Sequence, residues 1–141
     1  MGCADATPRL IHYFEAGAII MTIEKINLRQ KFAQIPDLWN PRIAGELNGQ
    51  QVRLARLHGS FIWHSHAEED EMFLVISGTL HMELRDRTIE VHEGEFIIIP
   101  KGVEHRPVAP EEVHLVLFEP ASTLNTGNIE DERTRHQLDR I

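Results

Sequence analysis

The stretch Phe61-Ile62-Trp63-His64-Ser65-His66-Ala67-Glu68-Glu69-Asp70-Glu71-Met72-Phe73-Leu74-Val75-Ile76-Ser77-Gly78 decides how this chain is read. Two histidines one residue apart precede a glutamate by five residues, and an apolar run of strand length then stops at a glycine. In a strand, residues i and i+2 lie on one face, roughly 6.6 Å apart. His64 and His66 can therefore aim their imidazoles at one point. Ala67 to Asp70 is long enough to turn, so Glu71 can return to that point from the adjacent strand. Further on, Pro100-Lys101-Gly102 makes a rigid turn that sets His105 at the start of another strand. Three imidazoles and a carboxylate are a ligand set for a first-row transition metal. Ligands from neighbouring strands of one sheet have the interior of a barrel as their meeting point.

The chain around this stretch reads as strands. Arg42 to Leu47 and Gln50 to Leu57 flank Asn48-Gly49, a two-residue hairpin turn whose positions both need positive φ. Leu80, Met82 and Leu84 alternate with His81, Glu83 and Arg85, and Asp86-Arg87 turns the chain into Thr88 to Val91. Phe96-Ile97-Ile98-Ile99 reads as a buried strand ending at Pro100. Arg106 to Ala109 reads as a short strand and Glu112 to Glu119 as a separate, stronger one carrying Val113, Leu115 and Leu117. Ahead of the strands, Asn27 is a plausible N-cap. Leu28, Phe32 and Ile35 recur at helical spacing until Pro36, which predicts a short amphipathic cap packed on the domain. Many short strands with Gly, Pro and Asn punctuation and almost no helix indicate an all-β sandwich or barrel.

Length and composition suit one domain. The chain has 141 residues, and a domain of that length buries roughly two thirds of its unfolded surface. Hydrophobic residues make up 42% and charged residues 26%, an ordinary globular balance. The net charge is −8 and no basic stripe exists, so neither nucleic acid nor an anionic membrane is an expected partner. No stretch approaches the ~20 apolar residues that span a bilayer. Leu10-Ile11-His12-Tyr13-Phe14-Glu15 is too polar for a signal-peptide core. Cys3 is the single cysteine, which rules out a disulfide within the chain, and no Asn-x-Ser/Thr acceptor occurs. Both fit a reducing, cytoplasmic setting. Residues 1–20 are expected to be a non-essential extension, possible disorder included, before a domain spanning 21–120 with its core at 42–119. Residues 121–141 are expected to form a polar tail that frays around Glu130 to Arg135.

The spacing of the motifs resembles a known family. Gly59…His64-Ser65-His66…Glu71…Gly78 resembles the first motif of the cupin superfamily, and Gly94…Pro100-Lys101-Gly102…His105 resembles the second. The resemblance covers residues 42–119. It implies a small cupin-2-like domain: a double-stranded β-helix, or jelly-roll barrel, here with a short N-terminal helix. It also implies that His64, His66, Glu71 and His105 bind the metal, and that the protein is a homodimer. Two positions depart from the pattern. Gly59 is one residue closer to His64 than usual, and Ala109 stands where the second motif closes on Asn. Neither position is a ligand.

Other residues receive weaker roles. His58 and His114 lie on strands and are candidates to enter the barrel and orient a ligand. His81 and His92 are expected to face outward, and His12 and His136 lie in the terminal segments. Glu68, Glu69 and Asp70 read as a solvated loop. His92-Glu93-Gly94-Glu95-Phe96 lacks the second histidine of a zinc-protease helix. No nucleophile elbow and no phosphate-binding glycine loop occur. No room remains for a helix-turn-helix.

The expected cofactor is one divalent transition metal ion, Fe, Mn, Ni, Co or Zn. The expected function is a metal-binding cupin barrel acting as a metal-dependent enzyme on a small oxygen-rich molecule, by dioxygenase, isomerase or decarboxylase chemistry. The alternative is a non-catalytic module that binds a metal or a small ligand. No catalytic residue beyond the ligands stands out in the sequence.

Overall fold

The structure, a computed structural model, describes residues 10, 11 and 21–141. β1 (Leu10–Ile11) pairs antiparallel with β2 (Met21–Thr22). The rest of the expected extension, with Cys3 and His12, lies outside the described residues. Asn27 caps α1 (Leu28–Ala33) as its sequence suggests: its side-chain oxygen accepts from the Gln30 N–H at 3.0 Å. This satisfies one of the donors that a helix start leaves free. Phe32 and Ile35 then seat on the barrel, 3% and 2% exposed.

β3 (Arg42–Leu47) and β4 (Gln50–Ser60) form the expected hairpin. Asn48 and Gly49 take φ of 53° and 78°, the pair of positive angles that matches the twist of the flanking strands. β5 (Glu71–Ser77), β6 (Leu80–Leu84), β7 (Thr88–Val91) and β8 (Phe96–Ile99) follow, and β9 (His105–Pro120) closes the molecule. The sheet order is β3-β4-β9-β5-β8, with β6 bridging β7 and the first part of β9.

Two strands were expected over 106–119, and the structure has one of 16 residues. Its first part pairs with β6, His105 opposite Leu84. Its second part lies between β4 and β5, with Val116 opposite both Leu54 and Leu74. Pro107 and Pro110 lack a ladder donor but keep an extended backbone. Pro110 falls where the β4 register shifts between Leu57 and Gly59, so the prolines mark a change of partners rather than a break. The change of partners wraps the sheet into a double-layered barrel.

The inward residues of β4, β5, β6 and β9 form one core, including Leu57, Phe73, Val75, Leu80, Met82, Val113 and Leu115. A second cluster lies outside the barrel, where Phe32 and Ile35 cover Leu54 and Val116. β8 corrects a further expectation. Only Ile99 is well buried; Phe96 and Ile98 are 60% and 54% exposed. β8 is an edge strand paired with β5 alone, so its residues alternate instead of being covered on both faces.

Residues 121–141 return across the barrel. Asn128 and Ser65 exchange hydrogen bonds at 3.0 and 2.9 Å, and Ile43 pairs with Asp139 and Ile141 through its N–H and carbonyl. The fraying expected around 130–135 gives way to a tied segment. The Asn125 amide donates to the Arg133 carbonyl and accepts from the Arg135 N–H, and Thr126 and Thr134 bond side chain to side chain at 2.7 Å. Polar residues here satisfy the backbone locally, so polarity does not mean freedom. No helix among the described residues is long and apolar enough to cross a membrane.

Candidate metal centre

The two motifs are joined through the backbone before their side chains meet. His64 donates to the His105 carbonyl at 3.1 Å and accepts from the His105 N–H at 2.9 Å. The Gly102 N–H donates to the His66 carbonyl at 2.7 Å, and the Lys101 N–H to Asp70 Oδ1 at 2.8 Å. The Pro-Lys-Gly turn is thus fastened to the His-Ser-His segment. That segment is not a ladder strand: within it only His64 forms a bridge. The extended spacing still brings the rings of His64 and His66 to 5.1 Å between centroids.

His64, His66, Glu71 and His105 converge as expected. One ligand atom from each lies within 4.8 Å of all the others, and all four residues are at most 4% exposed. His66 Nε2 and His105 Nε2 stand 3.0 and 3.1 Å from Glu71 Oε2. Two donors each about 2.1 Å from a shared ion, at right angles to one another, are about 3.0 Å apart. His64 Nδ1 and His105 Nδ1 each donate to a carbonyl, of Ile62 and Val103, at 2.9 Å. A carbonyl only accepts, so both rings carry the proton on Nδ1 and turn the bare Nε2 inward, that of His105 towards Glu71 Oε2. His66 Nε2 is buried and makes no hydrogen bond, although Glu71 is near. An orphaned buried ring nitrogen aimed among three other donors is costly in a plain core and expected where a cation sits. The residues present fit a metal ion.

The electrostatics agree. Burial lowers the His64 pKa to about 4, helped by the neighbouring His105, so the ring is neutral and ready to ligate at neutral pH. Burial pushes the Glu71 carboxyl up, but the His105 and His66 rings, 3.1 and 3.0 Å from Oε2, outweigh it and hold the group well below the usual carboxylate range. Glu119, deeply buried on β9, is pushed well above that range by burial and by the Glu71 charge.

Glu119 belongs to a group that the sequence reading missed. Arg53 Nη1 donates to Glu119 Oε1 and to the Thr123 carbonyl, each at 2.8 Å, and Nη2 donates to the Ala121 carbonyl at 3.1 Å. Arg53 Nε donates to Gln51 Oε1 at 2.9 Å. Glu119 Oε2 is left without a hydrogen-bond partner. A signal for this group was present: Gln51 and Arg53 share the parity of Ala55 and Leu57, and Glu119 that of Val113, Leu115 and Leu117. All face inward.

A cavity opens beside the centre. His64, Glu71 and Glu119 line it together with Trp39, Phe61, Phe73, Leu115 and Leu117. The two orienting candidates fall elsewhere. His58 is exposed and offers only its backbone carbonyl, to Trp39 Nε1. His114 stacks on Phe32 at 4.7 Å, outside the barrel. Both sit on the outward side of their strands at these positions. In the acidic loop, Asp70 serves the Lys101 turn and Glu69 accepts from Ser122 Oγ at 3.1 Å.

A family model described as a cupin domain matches residues 51–119. A solved structure of a cupin-2 domain containing protein from Shewanella frigidimarina is 44% identical, covers 67% of this chain and 93% of that one, and superposes with a TM-score of 0.67. The chain belongs to the cupin family. Protein NMB1881 from Neisseria meningitidis is also similar, 34% identical over 70% of this cupin and all of that chain, with a TM-score of 0.64. Among curated relatives, the uncharacterized protein YdbB of Bacillus subtilis is 39% identical over 62 residues, which is 43% of this cupin. The match spans only 55% of that relative's length. Both expected departures from the cupin pattern leave the ligands in place: Gly59 takes a φ of 87° at the β4 bulge, and Ala109 is fully buried in β9.

Proposed function

We propose that this cupin holds one divalent transition metal ion through His64, His66, Glu71 and His105, and acts as a metal-dependent enzyme on a small molecule bound through oxygen. The observation that carries the reading is the orphaned Nε2 of His66 inside a buried set of four ligand atoms. A Mn, Fe, Co, Ni or Zn ion in that place would supply Lewis acidity and open positions for a ligand oxygen or O2. The chain supplies the rest. Ile62 and Val103 lock two imidazole tautomers through their carbonyls. Apolar side chains wall the cavity on one side of the centre, and Glu119 places a carboxyl beside Glu71 where it can hold or pass a proton. Dioxygenase, isomerase and decarboxylase reactions all fit this arrangement.

Metal analysis of freshly purified protein is the test. Wild type should carry one ion per chain, and His64→Ala should carry almost none while keeping the wild-type circular dichroism. Equal metal in both would end the proposal. Turnover is read separately, as O2 uptake or product formation across dihydroxy and diketone compounds. Tight binding without turnover across that panel would instead make the protein a binding module.

The same reading includes a homodimer. Phe96 and Ile98 of edge strand β8 are exposed beside half-buried Met72 and Leu74 of β5, a contiguous apolar face that a second copy would cover. The lone cysteine suits a cytoplasmic protein, which needs no disulfide.

A further inference from the structure

The cavity beside the four ligands is polar on one side only. Its titratable lining is His64, Glu71 and Glu119, gathered around the candidate metal position. The remaining polar side chain is Asn125, and both ends of its amide are already spent on the Arg133 carbonyl and the Arg135 N–H. The other walls are carbon: Trp39, Leu57, Phe61, Phe73, Leu115 and Leu117, with two prolines and an alanine.

Trp39 is held in place at a conformational cost. Its φ is 56°, a left-handed backbone that a bulky residue rarely adopts. Three contacts impose it. The Trp39 N–H donates to the Arg56 carbonyl at 2.9 Å, and the indole Nε1 donates to the His58 carbonyl at 3.0 Å. The ring stacks on Phe61 at 4.9 Å, with planes 10° apart. Phe61 in turn sets its edge against His64, centroids 5.4 Å apart. A flat aromatic wall therefore runs from Trp39 to a ligand imidazole. Strain maintained by several partners at a cavity wall points to use of that side chain.

We propose that this cavity selects a small ligand with one metal-binding oxygen head and an apolar body, and that Trp39 sets the selectivity. The inference rests on the metal centre proposed above, and it narrows the oxygen-rich class expected from the sequence. An ion held by the four ligands would offer the head an open position, next to Glu71 and Glu119. The body lies against Trp39, Phe61 and the leucines, which give up water at no polar cost. A polyhydroxylated body would strip its hydroxyls of water against the carbon walls, which offer them no partner.

The test compares phenylacetate with gluconate, two carboxylates with opposite bodies, by calorimetric titration of Mn(II)-loaded and metal-free protein. Phenylacetate should bind the loaded protein at least about tenfold more tightly than gluconate. Trp39→Gly suits the backbone angle and removes the wall, so it should erase most of that preference while leaving metal content unchanged. Gluconate binding as well as phenylacetate, or no binding of either at millimolar concentration, would overturn the proposal. So would an unchanged preference in a folded Trp39→Gly. If that variant does not fold, the wild-type ranking decides. Failure of the metal reading looks different: manganese content would match between wild type and His64→Ala, and the preference for phenylacetate would be the same with and without manganese.

Discussion

His64 carries the proton balance of the site. In the unfolded chain its imidazole takes up a proton near pH 6.5, but in the folded protein burial and His105 delay this to about pH 4. Between those values the unfolded state binds more protons, so stability falls as the pH drops from 6.5 towards 4. For chelator-treated protein this amounts to up to about 3 kcal/mol. Urea midpoints measured across that window should slope downward, and His64→Gln should flatten the slope. A second residue-scale test concerns Arg53. Arg53→Met strips the donor from Glu119 Oε1 and from the Thr123 and Ala121 carbonyls, at a cost of at least about 3 kcal/mol. The double variant Arg53→Met/Glu119→Leu should recover much of that loss in the same denaturation assay. His64, His66 and Glu71 were legible because their spacing is local, and His105, 34 residues beyond Glu71, because a Pro-Lys-Gly turn precedes it. Arg53 and Glu119 were hidden because they stand 66 residues apart, and only register brings them together.

Elements hold the ligands through close backbone approaches. Gly127, with φ of 57°, packs against the Ser65 carbonyl and the His64 ring, where a Cβ would collide with the Ser65 oxygen. Gly127→Ala must push the His-Ser-His segment or the C-terminal segment aside. Metal affinity should fall about 10–100-fold in a competition with a fluorescent chelator, as when a ligand loses its support. Unchanged affinity would show that this contact is slack. Gly78 is the corresponding pinch at the end of β5: its φ is 86°, and a Cβ there would lie 2.6 Å from the Glu112 carbonyl oxygen. Its place after an apolar strand marked it as a turn in the sequence. The role of Gly127 had no such sign, because its neighbour Ser65 lies 62 positions away.

At the scale of the whole molecule, the last 21 residues act as part of the barrel. Thr123 and Ala121 supply two of the carbonyls that receive Arg53. Hydrogen bonds to a charged group are worth about 1.5–3 kcal/mol each. A chain ending at Pro120 should therefore lose at least about 3 kcal/mol in urea denaturation, and retain metal less well. A truncated chain as stable as the full one would contradict this. The apolar face around Phe96 and Ile98 carries the last test. Light scattering should show a dimer for wild type and a monomer for Phe96→Asp/Ile98→Asp, with the barrel still folded. A monomeric wild type at micromolar concentration would remove the dimer.

Sequence alone was enough for the hairpin at Asn48-Gly49, the cap at Asn27, the alternating strands and the four ligand candidates. Each depends on backbone preferences or side-chain periods over a few residues, His105 on the turn just before it rather than on the other three ligands. Only the tertiary structure showed that 105–120 is one strand serving two layers, that β8 is an edge, and that residues 121–141 pack on the barrel. It alone showed how Trp39, Phe61, Arg53 and Glu119 surround the centre. Those features depend on which distant segments become neighbours, and strand alternation says which way a residue faces without saying what it meets.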